Sequence, residues 1–173
     1  MNDVGIRAAT SDDCESIARW LSLPAINRWL GSEWRGAEVD ARRVAFMLKR
    51  KDTRVFMTLA AGKPSGIVVV SNIDAGDAVA LVWYALGESA LAGRGVITRA
   101  VELVLDRVFT ELGLETVHAW IHPDNRASRR VLEKTGFKVA GRLRDATMVD
   151  EVRADRVLFD ITRADWQAGR EGR

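Results

Sequence analysis

The chain has 173 residues, 47% of them hydrophobic and 29% charged, with a formal net charge of +2. Its dispersed arginines exclude the concentrated basic face of a nucleic-acid binder. No apolar run is long enough to span a bilayer, and a single cysteine, Cys14, permits no internal disulfide. One globular domain is expected over residues 1–166, with a short polar tail at 167–173. The opening residues Met1 to Arg7 lack the basic and apolar regions of a signal peptide, so a reducing cytoplasm is the expected location.

In chain order, Val4 to Ala9 reads as a first strand. Thr10 or Ser11 then caps a helix carrying Ile17, Trp20 and Leu21 on one face and ending before Pro24. A tryptophan-rich loop with Trp29 and Trp34 follows. A second helix is expected over residues 37–51, with Val39, Arg43, Phe46, Met47 and Arg50 at helical spacing. Arg54 to Ala61 and Ser65 to Ile73 read as paired strands around a Gly62-Lys63-Pro64 turn. Ala78 to Leu86 is another apolar strand, interrupted at Gly87, which marks a bulge or a close backbone approach. A helix from about Arg94 to Leu112 repeats Ile97, Val101, Val104, Leu105 and Val108, and Gly113 ends it. Thr116 to His122 is a strand. A short helix capped by Asp124 or Asn125 ends at Gly136, and residues 137–149 and 152–161 close the chain as a hairpin. The β-α-β crossover requires a parallel pair and the hairpins are antiparallel. The fold class is therefore α/β, with a mixed sheet and helices on both faces.

Two short patterns carry chemistry. In Leu91-Ala92-Gly93-Arg94-Gly95-Val96-Ile97-Thr98, two glycines stand where a strand gives way to a helix. Glycine allows positive φ, so successive amides can face one concavity, and the helix N-terminus adds partial positive charge. That combination seats a pyrophosphate. The plainer alternative is a helix-start turn with nothing bound, and neither a Rossmann nor a Walker pattern is complete. The second pattern runs from His122-Pro123-Asp124-Asn125 through Ser128 to Val131-Leu132-Glu133-Lys134-Thr135-Gly136-Phe137. By itself it is a capped helix.

Together, Asn-x-x-Ser-x-x-Val-Leu-Glu-Lys-x-Gly-Phe thirty residues after a Gly-x-Gly helix start resembles the GNAT acetyltransferases, and within them the RimJ/RimL-like branch. The resemblance implies the GNAT fold, a mostly antiparallel sheet with a central splayed parallel pair. It also implies acetyl-coenzyme A as co-substrate and an amine acceptor, either a small molecule or a peptide N-terminus, attacking directly in a ternary complex. Amides of Gly93, Arg94, Gly95, Val96, Ile97 and Thr98 would hold the pyrophosphate. Ala85, Leu86 and Gly87 would pair with pantetheine as a pseudo-strand. Asn125 would bond the pantetheine arm, and Arg94, Arg129 or Arg130 would meet coenzyme phosphates. The chain departs from the pattern at Ala92 (Gln or Arg in the family), Ile97 (Gly or Ala) and Leu132 (often a tyrosine acid).

Acetyl transfer needs a neutral amine, an oxyanion donor and a proton for the leaving thiolate. With no tyrosine at Leu132, Ser128 becomes the expected acid. A backbone N–H near Leu86 or Gly87 serves the oxyanion, and Glu88 or His122 is the expected base. Trp29, Trp34 and Tyr84 are expected to face the acceptor, and Trp83 and Tyr84, on opposite strand faces, should not both line the tunnel. His118 and His122 lack further ligands, so no metal is expected, nor any nucleic-acid or membrane partner; a homodimer stays open. The competing reading is a non-catalytic acyl-coenzyme A-binding module.

Overall fold

The computed structural model describes residues 3–36 and 38–171. Strands Val4–Ala8 (β1), Arg54–Ala60 (β2), Lys63–Asp74 (β3), Val79–Leu86 (β4), Thr116–Ile121 (β5), Lys138–Val149 (β6) and Val152–Thr162 (β7) form one sheet in the order β1-β2-β3-β4-β5-β7-β6. The helices are Cys14–Ser22 (α1), Pro24–Asn27 (α2), Ala41–Leu48 (α3), Val96–Thr110 (α4), Arg126–Lys134 (α5) and Arg163–Glu171 (α6). Neighbouring strands are antiparallel except β4 and β5, which α4 joins by a crossover. The mixed sheet with one parallel pair is the expected one.

Strand alternation splits the core in two. Val68, Val70 and Val82 face α4, whose Val101, Val104, Leu105 and Val108 are buried at the spacing the sequence predicts. Ile67, Val69 and Ala85 face the other way, onto Ile17, Trp20 and Leu21 of α1 and Val44 and Met47 of α3. Four consecutive β3 residues, Ile67 to Val70, are fully buried because helices cover both faces.

Several element bounds differ from expectation. Asp40 caps α3 by accepting the Arg43 amide at 2.8 Å, so the helix starts later and Val39 and Arg50 lie outside it. Phe46 is 70% exposed and is no core residue; Ala37 lies outside the described residues. The tryptophan-rich loop contains α2, which Pro24 opens with a φ already suited to a helix. The β2–β3 turn is only Ala61-Gly62, both at positive φ (49° and 74°), and Lys63 and Pro64 belong to β3. The polar tail expected from residue 167 is helical through Glu171. Trp166 packs on Phe109 with ring centroids 5.4 Å apart, and Arg170 pairs with Asp106. Residues 172 and 173 lie outside the described residues. Among the described residues, no helix is long and apolar enough to cross a membrane.

Candidate active site

β4 and β5 pair only from Val79–Thr116 to Leu81–His118. Beyond that point β4 stays with β3 as far as Gly66–Leu86, and β5 stays with β7 as far as Ile121–Val157. The sheet therefore splits between its two halves. At the end of β4, the amides of Gly87 and Glu88 both donate to the Ser65 carbonyl, at 2.8 and 3.1 Å, forming a bulge. Gly87 is obligatory there: a Cβ would lie 2.2 Å from the Trp20 indole. Its amide is thus taken, which removes it as an oxyanion donor. Alternation turns the Leu86 amide to the opposite strand edge, toward the gap.

The gap opens into a cavity of about 560 Å³ that runs to the start of α4. Gly93 and Gly95 have φ of 75° and 76°, a conformation open to glycine without strain. The first amide to bond back into α4 is that of Arg99, which donates to the Gly95 carbonyl at 2.9 Å. The amides of Val96, Ile97 and Thr98 before it are those a helix leaves without an internal partner. The cavity is lined there by Ala92, Gly93, Gly95, Val96, Ile97 and Thr98. Ile97, the bulky departure from the family pattern, is 8% exposed and joins the α4 core. Arg94 is exposed and does not line the cavity; Arg130 does, and makes no ion pair among the described residues.

On the other wall, Asn125 caps α5. Its Oδ1 accepts the Ser128 amide at 3.1 Å, which leaves its Nδ2 donors for a ligand. The Tyr84 hydroxyl reaches from β4 to donate to the Ser128 carbonyl at 3.1 Å. Burial pushes its pKa well up, so it stays protonated. Leu132, where many relatives carry tyrosine, is fully buried in the core. Ser128 lines the cavity, as do Asn125, Ala85 and Leu86.

The end of the cavity away from α4 is aromatic. Trp29, Trp34 and Trp120 line it together with Glu33, a carboxylate that the sequence reading missed. Glu33 folds back over Gly31, where any Cβ would come within 2.4 Å of its carboxylate. Trp34 is also core, 9% exposed. Trp83 and Tyr84 both line the cavity, against expectation, because the cavity passes through the split sheet and touches both faces. The two expected bases do not line it. Glu88 accepts the Trp20 Nε1–H at 3.2 Å outside the cavity. His122 packs on Trp29 with centroids 5.4 Å apart, and its Nδ1 accepts the Asp124 amide at 3.1 Å. Cys14 is buried, and burial raises its thiol pKa, so it is no nucleophile.

The model of the Acetyltransferase (GNAT) domain matches residues 3–138. This chain belongs to the GNAT acetyltransferase family. Among its relatives, the probable N-acetyltransferase YjcK of Bacillus subtilis (strain 168) is 38% identical over 86 residues, covering 50% of this chain and 47% of that protein. The chain thus spans about half the length of that relative. Two solved structures share the GNAT fold. Mycobacterium smegmatis RimJ in complex with CoA-disulfide has a TM-score of 0.79 at 24% identity, covering 98% of this chain and 90% of that one. Spermidine N-acetyltransferase from Vibrio cholerae, in complex with CoA and spermine, has a TM-score of 0.84 at 17% identity, covering 95% and 98%. At these identities the likeness concerns the fold. Within the GNAT frame, the sequence motifs converge on one cavity, while Gly87, Glu88, Arg94 and His122 fall outside its wall.

Proposed function

We propose that this chain is an N-acetyltransferase that moves the acetyl group of acetyl-coenzyme A to a primary amine, by direct attack in a ternary complex in the cytoplasm. The observation that carries the reading is the parting of β4 from β5 after Leu81–His118, which opens onto a helix start with Gly95 at φ 76°. The first amides of α4, aided by its dipole and by Arg130, hold the pyrophosphate. Pantetheine lies along β4 from Ala85 to Leu86, with Asn125 bonding its arm.

The amine nitrogen attacks the thioester carbonyl. A C–N bond forms, the C–S bond breaks, and the nitrogen gives up a proton. The Leu86 amide faces the developing oxyanion, and Ser128 protonates the departing thiolate. A thiol pKa of about 8.5 makes that leaving group a fair one, so the proton adds only modest acceleration. Alignment of the two substrates supplies most of the rest. Glu33, on the cavity wall, is better placed than Glu88 or His122 to take the amine's proton.

Coenzyme A binding by calorimetry, followed by thiol release from acetyl-coenzyme A with a panel of amines, tests the reading. Binding without turnover for every amine identifies a non-catalytic acyl-coenzyme A module instead. Ser128→Ala is expected to lower kcat by about tenfold with little change in the KM for acetyl-coenzyme A, since general acids contribute about a hundredfold or more when the leaving group is poor and less here. The Tyr84 bond reaches the Ser128 main chain and survives that substitution.

A further inference from the structure

Four of the chain's six tryptophans line one cavity. Trp29, Trp34 and Trp120 stand at the end away from α4, and Trp83 stands on β4 at the edge of the split. The paired register of β4 and β5 stops at Leu81 and His118. Carried on by two residues, it sets Trp83 opposite Trp120 on strands that have already parted. Val82 and Ala119, the residues just before them, face α4. Alternation therefore turns both indoles to the other side of the sheet, one on each lip of the gap. Trp34 meets Trp83 on that side, with ring centroids 6.1 Å apart and tilted by 44°.

Three of the four rings already carry a cation. Arg28 lies 4.7 Å over Trp29, Arg43 lies 5.0 Å over Trp34, and Arg156 lies 4.1 Å over Trp120. None of these arginines lines the cavity. A second cation on the same indole would meet the charge of the first, whereas an uncharged ring can still stack there. The polar side chains at this end are few. Glu33 is the one carboxylate on the cavity wall, and it makes no hydrogen bond or ion pair among the described residues. Thr98, Asn125 and Ser128 belong to α4 and the start of α5, and the Tyr84 hydroxyl is bonded to Ser128. A sugar would leave most of its hydroxyls unmet among these indoles. A polyamine would find one counter-charge for several ammonium groups.

We propose that the acceptor is an arylalkylamine, with its aromatic ring lodged between Trp83 and Trp120 and its ammonium group met by Glu33. This inference rests on the acetyltransferase reading above and names its substrate class. Trp83 lies three residues before Leu86, about 10 Å of extended strand. A ring with a short alkyl arm spans that distance to a thioester held at Leu86.

The test compares thiol release from acetyl-coenzyme A with phenethylamine, cyclohexylethylamine, glucosamine and spermidine. The cyclohexyl compound keeps the arm and the apolar bulk but has no π face. The expected result is about tenfold higher kcat/KM for phenethylamine than for cyclohexylethylamine, carried by KM, because stacked rings add to plain burial. In Trp120→Leu that ratio should fall close to one. Equal use of the two by the unaltered protein, or faster use of glucosamine or spermidine, overturns the proposal and leaves acetyl transfer standing. Glu33→Gln should raise KM for both ring compounds and keep their ratio; an unchanged KM overturns the part given to Glu33.

A second readout needs no turnover and no variant. With coenzyme A bound, calorimetry should find N-acetylphenethylamine about tenfold tighter than N-acetylcyclohexylethylamine. Equal binding of the two, or none of either, overturns the proposal. That preference without thiol release for any amine would uphold the aromatic site and overturn the enzyme reading.

Discussion

The two ends of the cavity are built from different materials. The end proposed for the coenzyme is mostly main chain: the first amides of α4, the open edge of β4 at Leu86, and one cap, Asn125. The end proposed for the acceptor is mostly side chain: three tryptophans and Glu33, drawn from the α2–α3 loop and β5. A main-chain site depends on local geometry and tolerates most changes of residue type. A side-chain site changes its ligand with each substitution. One family can therefore keep one coenzyme while varying its acceptor.

Gly95→Val tests that contrast most severely. At φ 76° a β-branched residue is strained, and its side chain stands where the pyrophosphate must sit. A Cβ at Gly95 meets nothing within 4 Å, so the fold should survive. Coenzyme A affinity is expected to fall about a hundredfold, about 2.7 kcal/mol, by calorimetry. Affinity for the best amine of the panel, read as its KM, should change far less. If both fall together, the two ends are not separable.

Gly87→Ala strikes the seam between the ends. The new methyl would be driven into the Trp20 indole, on the face where α1 packs against the β4 bulge. Overpacking of this kind costs about 2 kcal/mol, which urea unfolding would read directly. If stability is unchanged, α1 is free to shift, and the acceptor wall is softer than its burial implies.

The same contrast explains what could be read in advance. A glycine pair at a helix start and an Asn cap three residues before Ser128 act within a few positions of chain, so Gly95 and Asn125 were legible. So was the β4 interruption at Gly87, though its cause, Trp20, lies on another helix. The Tyr84–Ser128 bond joins residues 44 positions apart, and the Trp20–Glu88 bond joins residues 68 apart. No local pattern marks either. Glu88 stood at the right strand end but turned to Trp20, because the bulge re-aims the chain there. The error at the C-terminus was of the same kind. Residues 167–171 are too polar to signal a helix, and contacts with distant residues hold α6 in place: Trp166 on Phe109, Arg170 on Asp106, Asp165 on Lys138, and Arg163 on Glu115 and the Leu114 carbonyl. Helix α3 was drawn too long because the Asp40 cap went unread.

The smallest expected effect lies on the acceptor side, at the root of α1. Arg7 of β1 grips Asp13 with two bonds of 2.7 Å, and Asp13 also accepts the Thr10 amide at 2.8 Å. The Arg7 bonds come first in holding the Asp13 carboxyl below its ordinary value of 3.8, against the opposing effect of burial. A carboxyl whose pKa is lower folded than unfolded adds stability at pH above the unfolded value and loses it as pH falls through the folded one. The Asp13 side chain is 8% exposed but its partner is 41% exposed, so solvent screens the pair. Asp13→Asn should therefore cost about 1 kcal/mol at pH 7. The difference from the unaltered protein should shrink as pH falls below 3.8, where the Asp13 carboxyl of the unfolded chain takes up its proton, and vanish once the folded carboxyl has done so too. Coenzyme A affinity at pH 7 should not move, because α1 touches the acceptor side of the sheet and not the start of α4. A loss of coenzyme affinity in that variant would mean that the two ends of the cavity are mechanically one.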